Sequence, residues 1–186
     1  MKLFATLVLI LSTLCGCSAK GDALERTTDL RKHLLAADGC SFQASITADY
    51  EDKVHNFQMD CSMDSAGRLD FTVTAPETIS GITGYISHNG ANLTFEENVL
   101  AFPMLADGQI SPVYSPWLFM NSLRGGYLSG CSKESDGLCI YIDDSFCDTP
   151  LKIEVTTDHN TIPTHAELIW QNRRILSLDI QNFVIL

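Results

Sequence analysis

Alternating apolar and polar positions dominate the first half of the chain. Apolar side chains recur at every second position in three runs, residues 42–50, 57–63 and 69–73. This period of two is typical of strands that bury one face and expose the other. Short polar turns separate the runs, among them Asp64-Ser65-Ala66-Gly67, so the pattern predicts an antiparallel meander.

The strand pattern continues in two later parts of the chain. Residues 82–87 and 92–96 flank His88-Asn89-Gly90 and predict a hairpin, because Asn-Gly tolerates the positive φ of a tight turn. Towards the C-terminus, the pattern predicts further strands near residues 138–143, 151–157, 163–171 and 174–184. Most of the chain is therefore predicted to be β.

One helix is predicted before the first strand, from Asp22 to about Ala37. Its apolar and small residues form a stripe at three- and four-residue spacing: Ala23, Thr27, Leu30, Leu34 and Ala37. Asp22 is a candidate N-terminal cap, and Gly39 is a candidate terminator. Because the stripe is narrow, this helix is expected to pack on the domain by one edge.

A second helix, from Pro112 to Leu123, is apolar on nearly every side. Ser115-Pro116 favours a helix start and Gly125-Gly126 a helix end. Such a helix must be buried on several sides or cover a cavity, so two interpretations stay open. It is either a lid that an acyl chain or a partner's apolar segment displaces, or a permanently packed core helix. The residues that would form the lid are Trp117, Leu118, Phe119 and Met120.

The apolar pattern also suggests a register for the first two strands. If Ala44 lies opposite Phe57, the apolar positions of both strands match and Cys40 lies opposite Cys61. A Cys40–Cys61 disulfide is therefore expected if the chain folds outside the cytoplasm. Three later cysteines lie eight residues apart, unlike the short gaps of zinc sites, so no metal site is predicted and their pairing stays open: Cys131, Cys139 and Cys147.

The N-terminus has the three parts of a secretory signal. Lys2 supplies a positive start, Leu3 to Leu14 form an apolar run, and small residues lead to a cysteine. As a helix the run is about 18 Å long, too short for a hydrocarbon core of about 30 Å. Leu14-Cys15-Gly16-Cys17 resembles the lipobox of bacterial lipoproteins. The resemblance implies cleavage after Gly16 and diacylglyceryl modification of Cys17; an ordinary signal peptide is the alternative.

These signals divide the chain into three parts. Residues 1–16 are predicted to be the signal peptide, residues 17–21 the lipidated cysteine with a short tether, and residues 22–186 a single domain. Four tether residues reach about 13 Å at full extension, so the domain is expected close to the outer, extracytoplasmic face of the cell membrane. The formal net charge of −11 disfavours nucleic acid as a partner, because an acidic surface repels phosphates.

No arrangement of residues in the sequence points to catalysis. A nucleophile elbow, a phosphate-binding glycine loop, His-Glu-x-x-His and Cys-x-x-Cys are all missing. His159 and His165 are expected to be surface residues rather than a metal pair. Asp143 and Asp144 are adjacent on a predicted strand, so they point to opposite faces and cannot share one substrate. The prediction is a protein that is not an enzyme and has no cofactor.

Several short segments have counterparts in a known family. They are Phe42-Gln43-Ala44-Ser45-Ile46, Gly67-Arg68-Leu69-Asp70-Phe71, Thr161-Ile162-Pro163 and Ile180-Gln181-Asn182-Phe183. With the order of elements, they resemble the LolA/LolB-like fold. The resemblance implies an α+β, mostly β protein, with a strongly curved antiparallel sheet (a half-open barrel), an N-terminal helix and an inserted apolar helix. Among family members with a lipobox, the chain most resembles Gram-positive cell-surface lipoproteins, including the germination type that partners a cell-wall amidase.

This resemblance implies two classes of function. Some members of the family hold acyl chains inside the half-barrel, and others use the same shell to bind proteins. The lipobox at Cys17 favours a resident, membrane-anchored module that binds an envelope protein, such as a cell-wall-remodelling enzyme. The alternative is a lipid or lipoprotein acyl-chain carrier that uses the concave face.

Overall fold

Strands make up most of the chain. The computed structural model describes residues 18–51, 53–95, 98–106, 109–144 and 151–186. The strands in this part are β1 (Gly39–Asp49), β2 (Val54–Asp64), β3 (Leu69–Ala75), β4 (Thr83–Ser87), β5 (Gly90–Phe95), β6 (Asn98–Ala101), β7 (Leu105–Ala106), β8 (Gln109–Ile110), β9 (Tyr127–Lys133), β10 (Leu138–Asp144), β11 (Leu151–Thr157), β12 (Pro163–Trp170) and β13 (Arg173–Ile185). The α-helices are α1 (Ser18–Ala36) and α2 (Ser115–Gly125), with short 3₁₀ turns at Glu77–Ile79 and Pro112–Tyr114.

Eleven of these strands form one antiparallel sheet. Their order is β6-β5-β4-β3-β2-β1-β13-β12-β11-β10-β9, while β7 and β8 form a separate two-stranded ribbon. The sheet is long and curved and is not closed into a barrel between β6 and β9. The predicted class, mostly β with a half-open barrel and an N-terminal helix, is confirmed.

Alternation along the strands decides which face of the sheet is covered. In β1 every second side chain is buried, from Cys40 to Ala48, and β2 continues the alternation from Phe57 to Met63. Antiparallel sheets with one covered face show this pattern because successive side chains point to opposite sides. The buried positions from all parts of the sheet join one core cluster, which also includes residues of both helices.

Helix α1 buries the predicted stripe but begins earlier than predicted. Ala23, Thr27, Leu30 and Leu34 are buried, and the helix packs against β9 and α2. Within the described residues the helix spans Ser18–Ala36, so Asp22 lies inside it and is not its cap. Neither this helix nor α2 combines the length and the hydropathy that a membrane-spanning helix needs.

The register of β1 against β2 differs from the predicted one by two residues. Ala44 pairs with Met59 rather than Phe57, so Cys40 lies opposite Met63 and Cys61 opposite Phe42. Since directly opposed positions are needed to bring two sulfurs together, the register separates this pair. Cys40 and Cys61 are both free thiols, and the predicted disulfide between them is wrong.

Candidate functional site

Helix α2 lies inside the curve of the sheet. Trp117 is 4% exposed, and Leu118, Phe119 and Met120 are fully buried. The helix begins with Ser115-Pro116, and proline is suited to this position because a backbone N–H in the first turn has no partner within the helix. At the other end, the Gly126 N–H donates to Ser122 O. The residues that were predicted as a lid therefore fill the concave space in this structure.

Aromatic contacts hold α2 on several sides. The Phe119 ring lies edge-on to Phe42 of β1, with 5.9 Å between centroids. The Trp117 ring meets His88 of the β4–β5 turn at 5.2 Å and Tyr114 at 6.3 Å, both edge-on. Each edge-to-face pair of aromatic rings contributes about 0.5–1.5 kcal/mol of stability beyond that from burying the two rings. These contacts tie the helix to both the centre and the β4–β5 end of the sheet.

Hydrogen bonds fix the helix to the turn between β2 and β3. The Trp117 indole N–H donates to Gly67 O at 2.9 Å. Arg124, near the other end of the helix, donates to Ser65 O at 2.7 Å and Asp64 O at 3.3 Å. Both ends of α2 are thus fastened to the same four-residue turn.

A buried polar pair joins α2 to β10. The Ser122 hydroxyl donates to the Asp144 carboxylate, and Arg31 of α1 donates to Ser122 O at 3.2 Å. Burial raises the pKa of Asp144, although the hydrogen bond from Ser122 partly opposes that rise. The sequence indicated only that Asp143 and Asp144 face opposite ways. The partner of Asp144 lies 22 residues away, so no local pattern marks this pair.

The described cysteines divide into a buried pair and a half-buried pair. Burial raises the pKa of the Cys40 thiol to about 11 and raises that of Cys61 further. Cys131 and Cys139, on β9 and β10, are half-buried free thiols. Cys147 lies outside the described residues, as do Gly16 and Cys17, the predicted cleavage and lipidation sites.

Among the described residues, the grooves that lie away from α2 include two that carry ion pairs or side-chain hydrogen bonds. One, of about 500 Å³, runs over β2 to β5 on the outer face, where Arg68 forms an ion pair with Asp70 and stacks over the Tyr85 ring at 4.0 Å. The other, of about 280 Å³, lies between α1 and the turn before β12. There Arg26 donates to His159 O at 2.8 Å and to Thr161 Oγ1 at 2.9 Å. The grooves differ in chemistry, since most residues that line the first are polar or charged, whereas half of those that line the second are apolar.

A serine, a histidine and an aspartate form a row on the outer face of β12 and β13. His165 Nδ1 lies 2.7 Å from Asp179 Oδ1, and Ser177 Oγ lies 3.5 Å from His165 Nε2. Glu167 also approaches Nε2, at 3.6 Å. These residues belong to paired strands, whose backbone N–H groups serve the ladder and so cannot stabilise an oxyanion. Within the described residues, no group of three or more His, Cys, Asp or Glu could hold a metal ion.

Strand β6 is the exposed edge of the sheet. Asn98, Val99, Leu100 and Ala101 are all exposed, with Val99 at 65% and Leu100 at 57%. The other edge, β9, packs against α1. Sequence reasoning missed both edge strands, because β6 is short and β9 contains serines and a glycine in place of a clear apolar alternation.

Comparison with known proteins yields similarities in structure alone. No family model matches the chain, and no curated protein matches it. The chain is similar to the LolA superfamily protein NE2245 from Nitrosomonas europaea, at 10% identity over 88% of this chain and 93% of that one, with a TM-score of 0.46. It is also similar to the lipoprotein LppX from Mycobacterium tuberculosis, at 8% identity over 87% and 93% of the two chains, with a TM-score of 0.41.

A third similarity is to a chain in the structure of the CwlD amidase from Clostridioides difficile in complex with the GerS lipoprotein. The identity is 12% over 87% of this chain and 91% of that one, with a TM-score of 0.38. The proteins that this chain is similar to thus include LolA superfamily members and lipoproteins, as the order of elements predicted.

Proposed function

We propose that this protein is a membrane-anchored, extracytoplasmic lipoprotein that works as a non-catalytic binding module for an envelope protein. The anchor would be the diacylglyceryl group on Cys17, after cleavage at Gly16. Helix α1 spans Ser18–Ala36, so the four residues that were expected to form a tether lie within a helix. The distance between the lipid on Cys17 and the domain would therefore be shorter than an extended four-residue tether allows.

The observation that carries the proposal is the filling of the concave face. A carrier needs an apolar cavity open to its ligand, and such sites usually enclose several hundred cubic ångströms. Here the side chains of α2 occupy that space, and hydrogen bonds fasten the helix to the β2–β3 turn. The surfaces left for recognition are then the outer face and the exposed edge of the sheet. Recognition at such surfaces suits a protein partner.

The anchor and the partner need separate tests. Cells that produce the wild-type protein would be fed an alkyne-labelled fatty acid, and the label on the purified protein would be measured. Cys17→Ser should abolish the label, while Cys40→Ser serves as a control and should retain it. Label that persists in Cys17→Ser would rule out the anchor at this residue.

For the partner, membranes carrying tagged wild-type protein would be cross-linked and the captured complex quantified by mass spectrometry. The proposal predicts one envelope protein at close to equal stoichiometry. The same yield from an unrelated tagged lipoprotein, or no stoichiometric protein in repeated preparations, would contradict it.

The carrier alternative depends on the apolar character of α2. If the helix moved out, the buried side chains of β1 and β2 that it covers would line an apolar concavity. Native mass spectrometry of protein purified from membranes tests this. A co-purifying lipid at near-equal stoichiometry would favour the carrier, and its consistent absence would exclude it.

A further inference from the structure

We propose that the free edge of β6 (Asn98–Ala101) is a docking strand for an extended, basic segment of a protein partner. The segment would add to the sheet antiparallel or parallel to β6, as a twelfth strand. This inference rests on the proposed binding function and names the surface and the partner's chemistry. Adding a strand to an exposed sheet edge is a general mode of peptide recognition, because main-chain hydrogen bonds supply affinity and side-chain pockets supply specificity.

The backbone of β6 has hydrogen-bonding groups directed away from the sheet. The Phe102 N–H donates to Ala91 O at 3.2 Å, and the pairing continues from Ala101 with Asn92 to Asn98 with Phe95. In an antiparallel ladder, alternate residues bond to the neighbouring strand. Val99 and Ala101 therefore present their N–H and C=O groups outward, ready to pair with another strand.

The side chains of this edge are mostly apolar, whereas a protected edge strand commonly carries charged side chains. Proteins usually shield edge strands with lysines, prolines, bulges or a covering helix. Strand β6 contains no charged residue and no proline, and Val99 and Leu100 stand more than half exposed on its two faces. Leu100 pairs with the half-buried Leu93 of β5, so an added strand would extend the apolar concave face. The opposite edge, β9, is covered by α1.

Charge selects the kind of segment that fits. From residue 69 to residue 123 the sequence has no lysine or arginine, and its five acidic residues are Asp70, Glu77, Glu96, Glu97 and Asp107. Two of these follow β5 directly in the sequence. The basic residue that precedes this stretch, Arg68, is paired with Asp70, so four of the five acidic residues remain without this compensation. An incoming segment with lysine or arginine would be attracted to this region. A second copy of the chain would bring the same acidic stretch and would be repelled, which disfavours self-pairing along β6.

The test uses two six-residue peptides that differ only in charge. One alternates lysine with valine, and the other alternates glutamate with valine. Binding of each to the folded domain would be measured by fluorescence anisotropy at low and high salt. We expect the lysine peptide to bind at least tenfold more tightly than the glutamate peptide, with an affinity that falls as salt rises. Amide exchange at Val99 and Ala101 should slow on binding.

Three variants locate the binding. Val99→Pro removes an outward N–H without removing a bond to β5, because this N–H faces away from the sheet. Leu100→Lys places a positive charge on the edge, which should repel the lysine peptide. Val54→Lys adds the same charge to another exposed residue, 57% exposed on β2, and is the control. Val99→Pro and Leu100→Lys should each lower the affinity for the lysine peptide at least tenfold, while Val54→Lys should change this affinity less than twofold. Circular dichroism would verify that all three fold.

Several outcomes would overturn the inference. They are equal binding of the two peptides, binding that survives both edge variants, or a wild-type dimer in sedimentation that Leu100→Lys dissociates. In the membrane cross-linking assay, a partner captured equally by wild type and Leu100→Lys would refute the docking strand and leave the binding function standing. Capture of no partner by any form would instead refute the binding function.

Discussion

Trp117 donates its indole N–H to the carbonyl oxygen of Gly67, and this bond joins the buried helix to the turn between β2 and β3. Gly67 has a φ of +84°, a conformation that glycine adopts at low cost. Its own N–H donates to Asp64 O at 3.1 Å, which closes the turn. A local turn in the sequence thus provides the acceptor that positions a helix fifty residues later.

We expect Trp117→Phe to destabilise the protein more than Trp170→Phe does. Both changes remove the same volume from a buried tryptophan. At Trp117 the change also removes the donor to Gly67 O, whereas Trp170 Nε1 has no hydrogen-bond partner among the described residues. A buried acceptor left without its donor costs about 1–3 kcal/mol. The free energy of unfolding in urea should therefore fall about 2 kcal/mol further for Trp117→Phe. Equal losses would show that this hydrogen bond adds no net stability.

Asp144 should make the stability depend on pH. Its pKa is raised in the folded state, chiefly by burial, so its contribution to stability is present below the unfolded pKa and is lost as the pH rises through the folded pKa. Asp144→Asn stays neutral at every pH. Relative to wild type, this variant should therefore gain stability as the pH rises from acidic to neutral, in urea unfolding at a series of pH values.

Ser122→Ala provides the opposite change at the same pair. The Ser122 hydroxyl stabilises the ionised carboxylate, so its loss should raise the pKa of Asp144 further and steepen the pH dependence. If the difference in unfolding free energy between wild type and Asp144→Asn does not vary with pH, folding does not raise the pKa of this carboxyl.

The four described thiols should differ in reactivity. Cys40 and Cys61 are buried and their pKa values are raised, so little reactive thiolate exists at pH 8. Cys131 and Cys139 are half-buried and should be alkylated first. Iodoacetamide labelling of the native protein, followed by peptide mapping, measures this order, and labelling in denaturant gives the reference for full access. Recovery of a Cys40–Cys61 disulfide peptide under non-reducing conditions would contradict the observed register.

Gly137 and Gly125 should respond in opposite directions to alanine. A Cβ at Gly137 would lie 1.9 Å from Thr157 O, so the backbone of β10 or β11 would have to move. We expect Gly137→Ala to cost about 3 kcal/mol, the upper part of the usual range for overpacking. A Cβ at Gly125, in the last turn of α2, would meet no atom within 4 Å. Gly125→Ala should therefore add about 0.5 kcal/mol of unfolding free energy, because alanine favours the helix. Thermal unfolding of the two variants compares them directly.

The sequence predicted the faces of the strands better than their pairing. A period of two is unchanged when one strand slides by two residues, so the pattern places Cys40 and Cys61 on the buried face in either register. The observed pairing, with Asp49 opposite Val54, depends on the length of the connecting turn. A residue pattern that identifies faces alone could not choose between the two registers.

The two edges of the sheet and the buried Asp144 show a second limit. Strand β6 has no covered face, so it lacks the alternation by which the inner strands were found. Asp144 continues the buried face of β10, but its hydrogen-bond partner Ser122 comes from α2. Helix α2 was predicted from Pro112 to Leu123 and runs from Ser115 to Gly125, so the local signals Ser115-Pro116 and Gly125-Gly126 located the helix. Local signals were therefore sufficient for the element, and its partners required the tertiary structure.

Strand β1 pairs with β13 along almost its whole length, so the centre of the sheet is a seam between the first and last strands. Contacts between residues so distant in sequence form slowly, because a long loop must close first. While the chain is being made, β1 to β6 can assemble, but the inner edge of β1 stays unpaired until residue 185 has been added. The sheet can therefore be completed only after β13 has been synthesised, and until then the unpaired edge of β1 would need shielding from other strands.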